Sequence, residues 1–284
     1  IAHAPIDLNP FKKQKSVIAG FELKDKAHDV ATRVASVFNS VFSSIGEQQL
    51  PTLIRVIEEG IELYGSDYNF TKMLKELEEY DATGAKLANK LMPIVKANIF
   101  ACKDNENGWQ AIFQDRESMC RLIQMATLSR DVWHAATEFI LWDLYSHACL
   151  QGDKNKPLPV VLDEVQNLDH RLDSPLAKML TEGRKYGLSL ILATQTLSNL
   201  KKEEQDRLFQ AAHKLFFAPA ETEADSYAKL LEQAIPGTNK KYWADELASL
   251  QKGECISVGL YKDQNGFIKQ GAKKVQITSL GERL

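Results

Sequence analysis

The chain has 284 residues, of which 44% are hydrophobic and 26% are charged, and its 35 Lys and Arg against 38 Asp and Glu give a formal charge of −3. This composition excludes a disordered or fibrous chain, and the charge balance excludes a broadly basic protein that coats nucleic acid. No apolar run approaches the ~18–20 residues that a membrane-spanning helix needs.

In residues 1–20, Pro5 and Asn9-Pro10 predict a loop or a short extended stretch. From residue 26 to about 100, apolar residues recur at spacings of three and four, which predicts helices with acidic outer faces. The predicted helices contain Val30 to Phe42, Leu53 to Tyr64, Leu74 to Leu77 and Gly84 to Ile99, the last of them broken or kinked at Pro93.

After residue 105 strands and helices alternate with short links, which predicts an α/β fold with a parallel sheet. Pro159–Leu162 is an unbroken aliphatic run, which is typical of a strand buried on both faces of such a sheet. The other predicted elements are strands at 109–113, 120–125, 188–194 and 214–218, helices at 132–149, 174–186, 203–213 and 222–234, and closing hairpin or edge strands near 254–260 and 274–278.

Two adjacent carboxylates, Asp163 and Glu164, follow the aliphatic strand in the sequence LPVVLDE. Because α/β proteins bind ligands at the carboxyl ends of their parallel strands, we expect these side chains to face a ligand. One carboxylate can hold Mg²⁺ and the other can polarise a water molecule for attack on a γ-phosphate. This is the Walker B pattern, although an aliphatic strand followed by acidic turn residues is also common in other proteins.

A second aliphatic strand, LSLILATQ, ends in Thr194 and Gln195. Beside the first strand, the Gln195 amide would lie where it can orient the attacking water or sense the γ-phosphate. Arg184 and Lys185 precede this strand, at the end of the intervening helix. Two interpretations stay open: the cations complement the helix dipole, or Arg184 is an arginine finger that stabilises charge in the transition state.

The three motifs VVLDEVQNL, EGRKYG and LSLILATQ together resemble the C-terminal half of HerA/FtsK-like P-loop motor ATPases, a group related to the ATPases of conjugation and type IV secretion. The resemblance covers about residues 110–260. It implies an incomplete P-loop NTPase fold with a RecA-like parallel sheet core and an inserted all-helical subdomain. The implied division is residues 1–25 as an N-terminal segment of the core, 26–105 as the helical insertion, and 106–284 as the C-terminal part of the core.

The resemblance also implies ATP and Mg²⁺ as cofactors. Asp163 would position the magnesium ion, Glu164 would be the catalytic base and Gln195 the sensor. Since such proteins form hexameric rings, Arg184 would act on the nucleotide of a neighbouring subunit. The implied site residues are Glu164, Gln195 and Arg184 for catalysis, Asp163, Thr194 and Lys185 for the nucleotide, and Asp163 for the metal.

One motif of this family is missing, because the 284 residues contain no GxxxxGK[ST]. The backbone amides and the lysine that hold the phosphates are therefore absent from this sequence. Since the chain begins at Ile1 and not at Met, we expect a fragment that starts after the phosphate-binding loop. We expect it to lack tight ATP binding and hydrolysis when isolated.

The function that the resemblance implies is ATP-driven DNA translocation or unwinding by a homo-oligomer in a DNA repair or anti-phage restriction complex, with DNA and nuclease or restriction proteins as partners. Two alternatives stay open: a protein-translocating ATPase of a conjugation or type IV secretion system, and an inert scaffold. The four cysteines lie far apart and form no CxxC pair, which predicts reduced thiols and a cytoplasmic location.

Overall fold

The computed structural model describes residues 6, 8–18, 21–42, 44–101, 109, 120–125 and 127–282. By its internal contacts the chain divides into two units, Ile1–Thr194 and Gln195–Leu284. The division at residues 25 and 105 that the resemblance implies stays a prediction. Among the described residues, no helix is long and apolar enough to cross a membrane.

The first unit opens with a small antiparallel hairpin, β1 (Lys15–Ile18) and β2 (Phe21–Lys24). Of the two strands, β1 lies in the segment predicted to be a loop or extended. Helices then occur where the periodicity predicts them. They are α1 (Ala27–Val41), α2 (Gln49–Tyr64), α3 (Phe70–Tyr80) and α4 (Ala82–Ala97). Their apolar faces meet in one buried cluster, to which Phe38, Leu53, Met73 and Leu87 contribute fully buried side chains.

Side-chain caps define where α3 and α4 begin. The Asn69 side chain accepts a hydrogen bond from the Lys72 N–H at 3.0 Å, and the Asp81 side chain accepts one from the Gly84 N–H at 2.7 Å. Each cap satisfies an amide that the first helical turn leaves without a partner. A break or a kink is predicted at Pro93; the break is wrong, because α4 continues through Pro93, and the kink stays a prediction. Pro93 is exposed, so water can replace the backbone bond that proline removes.

A close contact between Gly60 and Tyr68 gives a test of this helical core. A Cβ at position 60 would lie 2.2 Å from the Tyr68 ring, which is fully buried, and the Tyr68 hydroxyl donates to Glu76 Oε2 at 2.8 Å. Because the ring has no room to move, we expect Gly60→Ala to lower the free energy of unfolding by about 1–3 kcal/mol, measured by urea denaturation. Gly46→Ala is the control, since a Cβ at position 46 would have no neighbouring atom within 4 Å; an equal loss in both variants would contradict the packing argument.

The predicted strand at 120–125 is wrong. These residues adopt no regular structure, and Leu122 is 86% exposed. No strand among the described residues pairs with them, and an apolar run without a ladder partner does not form a stable strand. Of the predicted strand 109–113 only Trp109 is described, and the rest lies outside the described residues. The long helix predicted next is present as α5 (Arg130–Gln151).

Two parallel strands follow α5, namely β3 (Leu158–Leu162) and β4 (Leu188–Leu192), with α6 (Pro175–Glu182) between them. The prediction that β3 is buried on both faces is wrong. Val161 is 66% and Ile191 is 55% exposed, while alternate residues of both strands pack on α5 and α6. Within the described part of the chain, the helices cover one face of this strand pair only.

The second unit contains α7 (Lys202–Leu208), β5 (Lys214–Phe216), α8 (Glu221–Ala234), α9 (Lys240–Ala248), β6 (Glu254–Lys262) and β7 (Ile268–Gln276). The predicted closing hairpin is confirmed as β6–β7, but its second strand begins at Ile268 and ends at Gln276, earlier than the predicted 274–278. The expectation that β5 continues a parallel alternation is wrong, because β5 pairs antiparallel with β6. Ile256 and Val258 of β6 are buried in the core of this unit together with Trp243 of α9.

Candidate functional site at the ends of two parallel strands

The carboxyl ends of β3 and β4 lie side by side. The strands pair in register from Leu158 with Leu188 to Leu162 with Leu192. Two further backbone bonds extend the pairing: the Ala193 N–H donates to the Leu162 carbonyl at 2.9 Å, and the Val165 N–H donates to the Ala193 carbonyl at 3.0 Å. The residues that follow the two strands therefore lie together at one end of the strand pair, as the sequence predicts; we call this end the carboxyl edge.

The two Walker B carboxylates occupy this edge. Asp163 is exposed and Glu164 is half-buried, and the Glu164 N–H donates to Asp163 Oδ1 at 2.9 Å. Glu164 has φ 54° and ψ 38°, the left-handed conformation. For a residue with a Cβ this conformation costs about 1–2 kcal/mol. Strained backbone of this kind persists where the surroundings enforce it, and it is concentrated at functional sites.

Gln166 joins the ends of the two strands, and the sequence motifs do not identify it. Its Nε2 donates to Glu164 Oε2 at 2.5 Å, and its Oε1 accepts from the Thr194 hydroxyl at 2.7 Å. One amide thus fixes the position of the glutamate side chain relative to the end of β4. The signal in the sequence is the glutamine two residues after the acidic pair, but only the turn that follows β3 brings it back to Glu164.

A magnesium ion fits the donors at this edge only with help from other oxygens. Mg²⁺ prefers octahedral oxygen coordination and usually takes one or two carboxylates together with water and phosphate oxygens. Asp163 supplies such an exposed carboxylate. The described residues contain no group of three or more His, Cys, Asp or Glu that could hold a metal by themselves. The site therefore suits a metal that arrives with a nucleotide and not one held by the protein alone.

Arg184 and Lys185 lie at the opposite edge of the strand pair. They belong to the 3₁₀ turn Gly183–Tyr186 that precedes β4, and the Gly187 carbonyl accepts from the Leu158 N–H at the start of β3. Five residues of strand at about 3.3 Å each, about 16 Å in all, separate this edge from Glu164. Both cations are exposed, and Lys185 Nζ lies 3.5 Å from Glu182 Oε2.

The predicted site residues therefore fall into separate groups. Asp163, Glu164 and Thr194 are brought together, and Arg184 and Lys185 are not close to them within one chain. Gln195 directly follows Thr194, is exposed, and is the first residue of the second unit. The catalytic, nucleotide-binding and metal-binding roles expected for these residues stay predictions.

Comparison with known proteins places this geometry in a structural class. The family described as the TraM recognition site of TraD and TraG matches residues 157–234. The structure of VirB4 of Thermoanaerobacter pseudethanolicus is 15% identical, covers 98% of this chain and 75% of its own, and has a TM-score of 0.61. The unbound bacterial conjugative coupling protein TrwBdeltaN70 is 16% identical over 96% of this chain and 73% of its own, with a TM-score of 0.55.

The plasmid coupling protein TrwB in complex with ADP and Mg²⁺ is 15% identical over 96% of this chain and 74% of its own, with a TM-score of 0.55. The chain has the P-loop ATPase-like fold of VirB4 and TrwB. The expected mixed α/β fold class with a parallel sheet is thereby confirmed. No curated protein matches the chain in sequence.

These matches refine the resemblance stated from the motifs. They show a fold shared with VirB4 and TrwB, and they do not confirm the HerA/FtsK assignment. They also give no support to nuclease or restriction partners. The matched family range 157–234 includes β3, β4 and the residues at both of their ends, so the motifs recognised in the sequence lie within it.

Proposed function

We propose that this chain is part of an ATPase of the conjugation and type IV secretion class, and that it supplies the Walker B half of the hydrolytic site. The observation that carries the proposal is the shared edge at which Asp163, Glu164 and Thr194 meet, connected through Gln166. The similarity of fold to VirB4 and TrwB and the match to the TraD and TraG family support the secretion class over a HerA/FtsK-like DNA motor.

In the proposed reaction, Glu164 accepts a proton from a water molecule as the water oxygen forms a bond to the γ-phosphorus of ATP. The bond between that phosphorus and the bridging oxygen of ADP breaks in line with the attack. Asp163 would hold Mg²⁺, and the ion would supply positive charge to the phosphate oxygens. Gln166 keeps the Glu164 carboxylate oriented, and Gln195 orients the water or senses the γ-phosphate.

The position of Arg184 supports a shared site between subunits. About 16 Å of strand separates the turn that carries it from Glu164, which is farther than an arginine side chain extends, so its guanidinium does not reach the Glu164 side chain of the same chain. In a homo-oligomeric ring, the edge that carries Arg184 can instead face the Glu164 edge of the next subunit. We propose this arrangement, with Arg184 as the finger and Lys185 as a further phosphate contact.

Under this proposal the chain belongs to a longer protein that also carries a GxxxxGK[ST] loop. Steady-state ATP hydrolysis in that protein, followed by a transfer assay in the source cells, tests the proposal. A secretion-class ATPase should support conjugative transfer or protein export, and the transfer should be lost with Asp163→Asn. Displacement of a triplex strand from duplex DNA without any transfer phenotype would favour the DNA motor. Absence of nucleotide hydrolysis in the longer protein would overturn the proposal.

The isolated chain gives a separate prediction. Since its sequence has no loop of backbone amides and no Walker A lysine for the phosphates, we expect its dissociation constant for Mg²⁺-ATP to be about 1 mM or weaker. Isothermal titration of the 284-residue chain measures this value. A dissociation constant of about 1 μM, corresponding to about −8 kcal/mol, would show that this chain holds the phosphates in some other way.

A further inference from the structure

The carboxyl group of Glu138 is buried beneath the turn that follows β3. Glu138 lies in the middle of α5 and is 1% exposed. Its Oε1 accepts a hydrogen bond from the Asp169 N–H at 2.8 Å. Through this carboxylate, α5 contacts the backbone of Asp169, five residues after Glu164, although α5 itself carries no Walker motif.

Several other contacts hold the segment from Glu164 to Arg171 together. The bond between Glu138 and the Asp169 N–H therefore acts on the whole segment. The His170 ring pairs through Nε2 with the Val165 carbonyl at 2.9 Å. Asp169 binds the Arg171 guanidinium, and Arg171 Nη2 also donates to the Ser36 carbonyl at 3.0 Å in α1. Displacement of the Asp169 amide would therefore be transmitted back to the left-handed turn at Glu164.

The second oxygen of the Glu138 carboxyl, Oε2, has no comparable contact in the described part of the chain. Among the described residues, no hydrogen-bond partner is found for Glu138 Oε2, which is buried, or for His134 Nε2, which lies 3.5 Å from Glu138 Oε1. Burial raises the pKa of the Glu138 carboxyl above its usual range, although the nearby His134 ring and the Asp169 amide act in the opposite direction. A buried carboxyl oxygen without a partner costs free energy, and the bond from the Asp169 N–H is the contact that offsets this cost.

We propose that Glu138 is a positioning residue for the Walker B turn: through the Asp169 amide it holds the segment that keeps Glu164 in its left-handed conformation. The proposal rests on the proposed function for its catalytic consequence. Its structural part stands on the Glu138 contact alone and can be measured in the 284-residue chain without nucleotide.

Three variants distinguish the role of Glu138 as a hydrogen-bond acceptor from its contribution to packing. Glu138→Leu removes the acceptor at nearly constant volume, and Glu138→Gln keeps an oxygen that can accept the Asp169 N–H. Thr137→Val is the matched control, since Thr137 is buried on the same helix and its hydroxyl donates within that helix to the Trp133 carbonyl at 2.9 Å. Thermal melts establish first which variants are folded.

Amide hydrogen exchange tests the structural part. We expect exchange over residues 164–170 to accelerate about tenfold or more in Glu138→Leu, because the buried Asp169 amide loses its partner. Glu138→Gln and Thr137→Val should stay within about threefold of the wild type. Equal protection in all four proteins would overturn the proposal, and so would equal acceleration in Glu138→Leu and Glu138→Gln.

Turnover in the longer protein tests the catalytic part. We expect kcat in Glu138→Leu to fall about 10- to 100-fold with little change in KM for ATP, and Glu138→Gln to restore most of it, because small displacements of a catalytic group lower the rate steeply. An unchanged kcat despite faster exchange would overturn this part. If the wild type itself hydrolyses no ATP, the proposed function fails, and the exchange measurement still decides whether Glu138 holds the turn.

Discussion

Replacement of Glu164 by glutamine is expected to lower kcat for ATP hydrolysis at least about 100-fold in the longer protein that contains the phosphate-binding loop. An amide cannot take the proton of the attacking water, and general-base catalysis accounts for a rate factor of this size. The fold should be preserved, because Glu164 is only half-buried and a glutamine oxygen can still accept from Gln166 Nε2. Steady-state kinetics and a thermal melt measure the two effects.

The matched control is Glu182→Gln, which removes a carboxylate near the opposite edge of the strand pair, where Glu182 contacts Lys185. It should leave kcat within about threefold of the wild type, a difference of less than about 1 kcal/mol in the barrier. If Glu164→Gln kept a comparable rate, Glu164 could not be the base. If both variants lost activity equally, loss of carboxylate charge anywhere on the sheet would be the simpler explanation.

Arg184→Ala is expected to have an equally large effect through a different subunit. Arginine fingers contribute rate factors of about 10³–10⁵, and we expect kcat to fall at least about 100-fold while ATP affinity changes little. The side chain is exposed, so the substitution should not affect folding. Arg121→Ala is the control, because Arg121 is also an exposed arginine and is not among the predicted site residues.

Mixing the two inactive proteins tests whether the site is shared. In an equal random mixture of Glu164→Gln and Arg184→Ala subunits, about a quarter of the interfaces pair an intact glutamate with an intact arginine. Partial recovery of hydrolysis is therefore expected. No recovery in verified mixed oligomers would place both residues in the site of the same subunit. Full activity of Arg184→Ala alone would rule out Arg184 as the finger and make Lys185 the next candidate.

The strand ends are the part of the site that could be predicted from sequence. An aliphatic run followed by polar residues indicates both the strand and the edge, so Asp163, Glu164 and Thr194 are found together as expected. Gln166 could not be predicted, because its two contacts depend on the left-handed turn at Glu164. Glu138 is hidden for a similar reason, since its partner is a backbone amide that no side-chain motif reveals.

The fold shows the same division between local and long-range information. Helix periodicity predicted α1 to α4 because each helix buries its own apolar stripe in the common core. The antiparallel pairing of β5 was missed, since the direction of a short strand such as Lys214–Phe216 is decided by the distant β6. The run 120–125 resembled a strand only because its apolar residues are close together, whereas the structure leaves Leu122 almost fully exposed.

The register of β3 against β4 has a consequence for how this sequence can vary. Insertion or deletion of one residue between Gly187 and Thr194 would turn the inward side chains of β4 outward and would move Thr194 away from Gln166. Relatives that retain the site should therefore keep the length of this stretch constant. Residues 264–266, in the turn between β6 and β7, are exposed and lie outside both strands, so length differences should accumulate there instead.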